Sequence, residues 1–369
     1  MRVTLEKSAF LKALNHVQSV VERRNTIPIL SNVMVQAKGG EVKLTATDLD
    51  IEIVESVAAD VAQDGAATVP AHMLYDITRK LPDGAQLELN QAGDKGRISI
   101  IAGRSRFALQ SLPPEDFPDL SSGEFGNTFS LAAASLRFLI ERTRFAISTE
   151  ETRYYLNGIY FHDVGGKLLR AVATDGHRLA QSQMDLPSGA AGMPGIIVPR
   201  KTVLELVKLL EGDDGEVEVS ISSAKIRFAA GRLVLTSKLI DGTFPDYERV
   251  IPRNNDKILE ADTRQFAEAV DRVSTISFEK SRAVKLALGE GKLSMVVNNP
   301  DSGSAEEEIV VSYEREPIEI GFNSRYLLDV AAQVKAETMR FEFNDAGSPT
   351  VVRDPKDENS LFVLMPMRV

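Results

Sequence analysis

The chain repeats itself at a nearly fixed spacing, and this limits what it can fold into more than anything else in the sequence. Ala46-Thr47-Asp48 returns as Ala173-Thr174-Asp175, an offset of 127 residues. Ala102-Gly103-Arg104 returns as Ala230-Gly231-Arg232 at 128, and Phe117-Pro118-Asp119 as Phe244-Pro245-Asp246 at 127. Val69-Pro70 returns as Val198-Pro199 at 129, in each case just before a helical pattern. Matches in the same order at one spacing are the signature of duplication. A folding unit of this length, used more than once, must therefore build the protein.

The flanking patterns agree. RISIIAGRSRFALQ and KIRFAAGRLVLTS both alternate apolar residues (Ile98, Ile100, Phe107, Leu109; Ile226, Phe228, Leu233, Leu235) around a glycine, and both predict β-hairpins with one buried face. Proline in each Val-Pro pair suits the first turn of a helix. A more diverged third copy fills the remaining length. GFNSRYLLDVAAQV, from Gly321, has the spacing of IVPRKTVLELVKLL, from Ile197, with Leu327 and Val330 in the places of Val203 and Leu206. AVDRVSTIS, from Ala269, matches LIERTRFAIS, from Leu139.

Three units of about 123 residues account for all 369. Linker-like stretches, LSSGEFGN and VIPRNND, set the expected boundaries, giving domains 1–121, 122–250 and 251–369. Each unit reads as two helices (Phe10, Leu14, Val17 and Val21, then Leu74, Ile77 and Leu81 in the first) among alternating strands. The predicted class is α+β with antiparallel sheets, whose edges pair between units so that a curved array can close into a ring.

Composition removes several function classes. The 43% apolar and 26% charged residues are those of a water-soluble globular protein. With no cysteine there is no disulfide framework and no thiolate site, and the four scattered histidines, His16, His72, His162 and His177, argue against a metal centre. The opening MRVTLEKSAFLKAL is charged and reads as no secretory signal, and no apolar run is long enough for a membrane helix, so a cytoplasmic location is expected. The net charge of −10 speaks against nucleic acid only for the average surface, since basic residues can gather on one face. They do gather in the helical stretches: Arg23 and Arg24, Arg79 and Lys80, Arg137, Arg142 and Arg144, Arg200 and Lys201. The acids concentrate in strand-like or loop segments such as DLDIEIVE, EGDDGEVEV and SAEEEIVV. Cations at helix ends also complement the helix dipole, which is the simpler explanation for any one of them.

With three units, basic helices and the phrases RYYLNG, ATDGHRLA, SKLIDGTFPDY and terminal MPMRV, the whole chain resembles the bacterial DNA sliding clamps, the β subunits of replicative DNA polymerase III. The resemblance implies a head-to-tail homodimer closed into a ring of six similar domains, helices inside and sheets outside. Such a ring encircles double-stranded DNA, confers processivity, uses no cofactor or metal and is no enzyme. Sequence-independent DNA contacts fall on Arg24, Arg79, Tyr154, Tyr155, Arg200 and Lys201. Two positions depart from the family pattern, His72 where an arginine can stand and Glu150 where a neutral amide can stand. The dimer interface is expected at Arg104, Arg106, Phe107 and Leu109 against Ile276, Glu306, Glu307 and Glu308, a basic surface meeting an acidic one.

The resemblance further implies an apolar cleft that docks short linear motifs of the polymerase III catalytic subunit, the clamp loader, other polymerases, ligase and mismatch-repair proteins. Its residues are Leu156, Thr174, Gly176, His177, Arg178, Leu179, Pro245, Arg249, Val250, Val363, Met365, Pro366, Met367 and Arg368. Two methionines in an apolar tail suit an adaptable surface, and Pro366 stops further strand pairing there. Asp-Gly-His-Arg at residues 175–178 also invites a catalytic reading, a hydrolase using Asp175 and His177. No G-x-S-x-G, H-E-x-x-H or P-loop motif accompanies it. A three-repeat scaffold that binds no DNA is the other alternative.

Overall fold

The computed structural model describes residues 1–91, 96–277 and 282–369. In it the repeated Ala-Thr-Asp is one hydrogen-bonded turn, built twice. Thr47 Oγ1 donates to the Ile51 carbonyl (2.8 Å) and accepts from Leu49 N–H (3.0 Å), while the Asp48 carboxylate accepts from the N–H groups of Asp50 and Ile51. In the second copy Thr174 Oγ1 donates to Arg178 (2.7 Å) and accepts from Gly176, and Asp175 accepts from His177 and Arg178. The residue after the aspartate is left-handed in both, Leu49 at φ 80° and Gly176 at φ 87°. Leucine pays a steric cost there that glycine does not. It persists because the Thr and Asp bonds fix the turn on either side.

Among the described residues the same order of elements recurs three times: a strand, a helix, four strands (five in the first copy), a helix, three strands. The helices are α1 (Lys7–Val17), α2 (Ala71–Lys80), α3 (Ala133–Thr143), α4 (Arg200–Leu209), α5 (Thr263–Ser274) and α6 (Ser324–Ala331). Helix α1 stops before Val21, which the spacing had included; a short 3₁₀ turn, Gln18–Val20, intervenes. Both predicted hairpins form, Arg97–Ala102 with Ser105–Gln110 and Lys225–Ala230 with Leu233–Lys238, and Gly103 and Gly231 share a φ of 57° in their two-residue loops.

Two compact units result, residues 1–137 with 187–193 and 201–239, and residues 138–186 with 194–200 and 240–369. The division falls inside the middle repeat because its strands pair with those of its neighbours. In the first unit, Leu233–Lys238 pairs with Ile51–Ala58. This joins Asn127–Ala132, Glu216–Ile221 and the second hairpin to Glu41–Thr47, Asn32–Lys38 and Gly65–Pro70 in one eight-stranded sheet. A five-stranded sheet (Asp60–Gln63, Arg2–Glu6, Gln86–Asn90, then the first hairpin) completes the unit and ends at Ser105–Gln110. Helices α1 and α2 pack on each other, and Phe10, Leu14 and Leu74 bury fully beneath them, each worth about 1.5–3 kcal/mol.

The turn of the first copy leads to Glu52, the counterpart of Leu179 at the same 127-residue offset. Glu52 is buried, its Oε2 accepts from the N–H of Leu120 (3.1 Å), and Lys225 Nζ donates to the carbonyls of Leu120 and Ser122. A polar plug thus fills the place of the apolar side chain.

In the second unit, Arg178–Asp185 pairs with Ser360–Leu364, giving the sheet order Ile196–Pro199, Gly158–Val164, Leu168–Thr174, Arg178–Asp185, Ser360–Leu364, Thr350–Arg353, Thr338–Phe343, Lys257–Asp262. A four-stranded sheet runs Gly303–Val310, Lys292–Asn299, Ala283–Gly289, Ile318–Asn323. Helices α5 and α6 pack together, and Phe266 packs on Phe341, which stacks in turn on Phe343. Arg142 of α3 belongs here and not to any basic surface. It is buried between Asp354 (3.5 Å) and Asp357 (3.3 Å) with its guanidinium over the Phe138 ring, a correction to the charge pattern expected of that helix.

Candidate functional site

All fourteen cleft candidates lie in the second unit. Register places Leu179 directly opposite Val363 on adjacent strands. These two join Leu156, Val172, Ile197, Phe244 and Tyr247 in one apolar cluster, with Tyr155, Tyr160, Ile240, Ile251 and Leu361 packed on it. The rim is open. Pro245, Arg249 and Val250 are exposed on and beside the 3₁₀ turn Tyr247–Val250, and Gly176 and His177 are exposed at the tip of the second Thr-Asp turn. The tail follows: Met365 N–H donates to the His177 carbonyl (2.9 Å) and Met367 N–H to that of Gly321 (2.8 Å). Val250 is 46% and Met365 37% exposed, so the chain leaves apolar side chains in water beside an apolar floor. Exposed apolar side chains beside an apolar floor set this surface apart from a closed core.

Arg178 ties the turn to α6. Its Nε donates to Asp175 (3.1 Å) and its Nη1 to Asp329 (2.5 Å), while its guanidinium lies 4.3 Å from the Tyr326 ring centre and 5.3 Å from that of Phe145. His177 stacks on Tyr326. The Asp175 carboxylate is thus committed to the turn and to Arg178, and no bond joins it to the His177 ring among the described residues. Beside this node opens a cavity of about 520 Å³ lined by Arg144, Arg178, Arg200, Arg282 and Arg325. Its acids are Glu150, Asp175 and Asp329. Arg153 holds Glu150 and Arg178 holds the other two, so the cavity keeps a positive balance. The hydrogen bond from Arg153 also holds the Glu150 carboxyl below its ordinary pKa.

The DNA-contact candidates divide. In the first unit Arg24 is exposed without an acidic partner among the described residues, and Arg79 is exposed beside Asp76. Lys201 is committed: it pairs with Asp48 and, at 3.2 Å, with Glu22. Burial would lower its pKa, but these carboxylates outweigh that and raise it. His72 bonds Gln18 (2.8 Å) and the Val21 carbonyl (2.9 Å). In the second unit Tyr154 is 53% exposed and Arg200 is exposed, whereas Tyr155 turns onto the apolar cluster, edge-on to Tyr154.

The interface candidates lie on two sheet ends. Ser105–Gln110 is an edge strand with Arg106 exposed, Phe107 half-buried and Leu109 buried, and Arg104 is exposed in the preceding loop. Gly303–Val310 is likewise an edge strand, with Glu306 and Glu308 exposed. Its acids already have partners: Glu306 takes Ser294 (3.1 Å), Glu308 takes Lys292 (3.0 Å), and Glu307 takes both ends of Arg272 (2.6 and 3.0 Å), which lowers its pKa. Ile276 is half-buried, its carbonyl bonded by Asn299.

Sequence reasoning missed Val172, Ile240, Ile251 and Leu361 in the floor, and Phe145, Tyr326 and Asp329 around Arg178. Phe244 lay in the repeated Phe-Pro-Asp, Ile240 and Tyr247 in the phrase SKLIDGTFPDY, and Phe145 and Tyr326 in the compared helical segments, but none was singled out. Among the described residues no group of three or more His, Cys, Asp or Glu side chains is placed to hold a metal, and no helix is long and apolar enough to cross a membrane.

Fold and site together define a repeat-built α+β protein whose second unit carries an open apolar surface flanked by arginines. Family models for the N-terminal, central and C-terminal domains of the DNA polymerase III beta subunit match residues 1–121, 130–246 and 248–368. The beta sliding clamp of Caulobacter vibrioides is 55% identical over 372 residues, covering all of both chains, and that of Escherichia coli is 42% identical over 374, again covering all of both. The crystal structure of the DnaN sliding clamp of Bartonella birtlesii bound to griselimycin, 55% identical, superimposes with a TM-score of 0.97 over the whole of both chains. The chain belongs to the DNA polymerase III beta subunit family. Its function is that of a DNA sliding clamp, a processivity subunit of the polymerase and not itself an enzyme.

Proposed function

We propose that two copies of the chain close head to tail into a ring around duplex DNA, helices inward, and dock their partners by short linear motifs at the apolar surface of the second unit. The observation that carries this reading is the pair of open, oppositely charged edge strands. An unpaired edge is a template for another strand, and Arg104 and Arg106 at one edge complement Glu306 and Glu308 at the other. Because the two edges differ, the contact is heterologous, and two such contacts close a dimer.

Retention then comes from topology, so DNA contacts need only be loose and salt-sensitive. Arg24, Arg79 and Arg200 would meet phosphates, with Arg144 and Arg325 of the basic cavity adding to them, and Tyr154 a sugar or base face. Tyr155 anchors its neighbour, and Lys201 contributes less because its charge is shared with Asp48 and Glu22. The partners are the polymerase III catalytic subunit, the clamp loader, other polymerases, ligase and mismatch-repair proteins, all in the cytoplasm. Roughly micromolar affinity, about −8 kcal/mol, lets them exchange, and two sites per ring keep them concentrated.

The test loads the protein onto nicked circular plasmid with a clamp loader and then linearises the plasmid. Protein retained on circles should run off once ends exist; release indifferent to cutting overturns encirclement.

A further inference from the structure

We infer that Tyr160, His162, Arg170 and Tyr247 form a positioning relay that holds residues 244–251 against the apolar floor, and that the relay works only while His162 is neutral. The inference rests on the cleft reading, because residues 244–251 carry Pro245, Arg249 and Val250 of its rim.

Strand Gly158–Val164 points Tyr160 and His162 to the same face, two residues apart. The Tyr160 ring is stacked between His162 (4.7 Å between centres, 20°) and Phe244 (4.8 Å, 6°). Its hydroxyl packs against Gly195 in the space a side chain would need, since a Cβ there would lie 2.3 Å from it. Tyr247 packs edge-on against both Phe244 and His162. Its hydroxyl lies 2.9 Å from His162 Nε2 and 2.9 Å from Arg170 Nη1. Arg170 also reaches Glu248 (2.8 Å), so one guanidinium and one imidazole grip two consecutive residues of the segment. The capping bond of the 3₁₀ turn, from Ile251 N–H to the Glu248 carbonyl, is long at 3.4 Å.

An arginine can only donate, so the Tyr247 oxygen accepts from Arg170. With Nε2 bare, the Tyr247 proton has that nitrogen as its acceptor and every group in the relay is paired. A proton on Nε2 would leave the buried hydroxyl between two donors, with its own hydrogen unplaced. It would also set an imidazolium opposite Arg170, its directly paired neighbour on the next strand, and like charges so placed repel. The other groups facing the ring are Asp163, Glu248, Tyr160 and Tyr247. Burial, then Arg170, holds the His162 pKa below its ordinary 6.5, against the opposing pull of Asp163 and Glu248. The relay is therefore intact at neutral pH and fails in acid.

The test measures binding of a fluorescein-labelled peptide, copied from the clamp-binding segment of the cognate polymerase, to the full chain between pH 8 and pH 5. His177→Gln is the common background, so that the other cleft imidazole does not titrate. The parent should lose about three- to tenfold in affinity in acid, the effect of one hydrogen bond. Adding His162→Gln, which keeps an acceptor but no titration, should flatten the curve, and Tyr247→Phe should lower affinity equally at every pH. The inference is overturned if the parent and His162→Gln curves coincide while deletion of residues 365–369 still abolishes binding. If that deletion also changes nothing, the cleft reading itself has failed.

Discussion

Replacing Gly321 with alanine should unseat the C-terminal tail. Gly321 lies in the edge strand Ile318–Asn323, paired on one side with Lys285 and on the other, through a single bridge, with Met367. A Cβ at this position would stand 2.3 Å from Val369 Cγ1 and 2.7 Å from the Met367 carbonyl oxygen. The valine can rotate away. The carbonyl can move only with its backbone, which also carries the 2.8 Å bond from Met367 N–H to Gly321. Losing that bond costs about 1 kcal/mol, and none of the fully buried aromatic core is touched, so the melting temperature should fall by only about 2–4 °C. Peptide affinity should fall more. The tail supplies Met365 and Met367, and displacing it in nine molecules of ten weakens binding about tenfold, or 1.4 kcal/mol. Fluorescence polarisation and a thermal melt on the same sample separate the two effects. Affinity within twofold of the parent, with tail deletion still abolishing binding, refutes the argument that Gly321 seats the tail.

Arg142→Ala should destabilise the second unit by about 3–5 kcal/mol, because Asp354 and Asp357 are left buried without their cation; urea unfolding measures it. Glu52 has its pKa raised above 4.5, chiefly by burial, against the hydrogen bond from Leu120. The folded state therefore holds this proton longer than the unfolded chain, and its contribution is most favourable at or below the ordinary carboxylate value and declines as pH rises through the window up to the raised one. Glu52→Gln, which can still accept from Leu120, should raise the melting temperature at pH 8 and leave it unchanged near pH 4. If the chain forms the proposed head-to-tail ring, reversing Arg104 and Arg106 to glutamate should give monomer in sedimentation velocity, and reversing Glu306 and Glu308 to lysine in the same chain should restore the dimer at least partly.

The repeat made the architecture readable. Matched motifs at one offset gave the number of units, and alternation gave the hairpins, because both depend on local patterns of side chains. The pairing of Leu233–Lys238 with Ile51–Ala58 was foreseen only as edge meeting edge, since register between distant strands leaves no mark in a short window. The cleft residues came from the family phrases, and the floor shows why spacing could not supply them. Val172, Phe244 and Val363 come from three separate segments and converge only once the sheet has formed. Charge was the least legible. Arg142 and Lys201 looked like two more exposed cations, but each meets acids far away in sequence, Lys201 at separations of 153 and 179 residues, which no count of charges along the chain reveals.

The plug at Glu52 bears on occupancy. Under the proposed docking of partners around Leu179, leucine at the related position of the first copy would offer callers a second mooring of the same make. A carboxylate is sunk there instead and pinned by Leu120, so that berth is closed. On this reading the number of guests scales with the number of chains brought together.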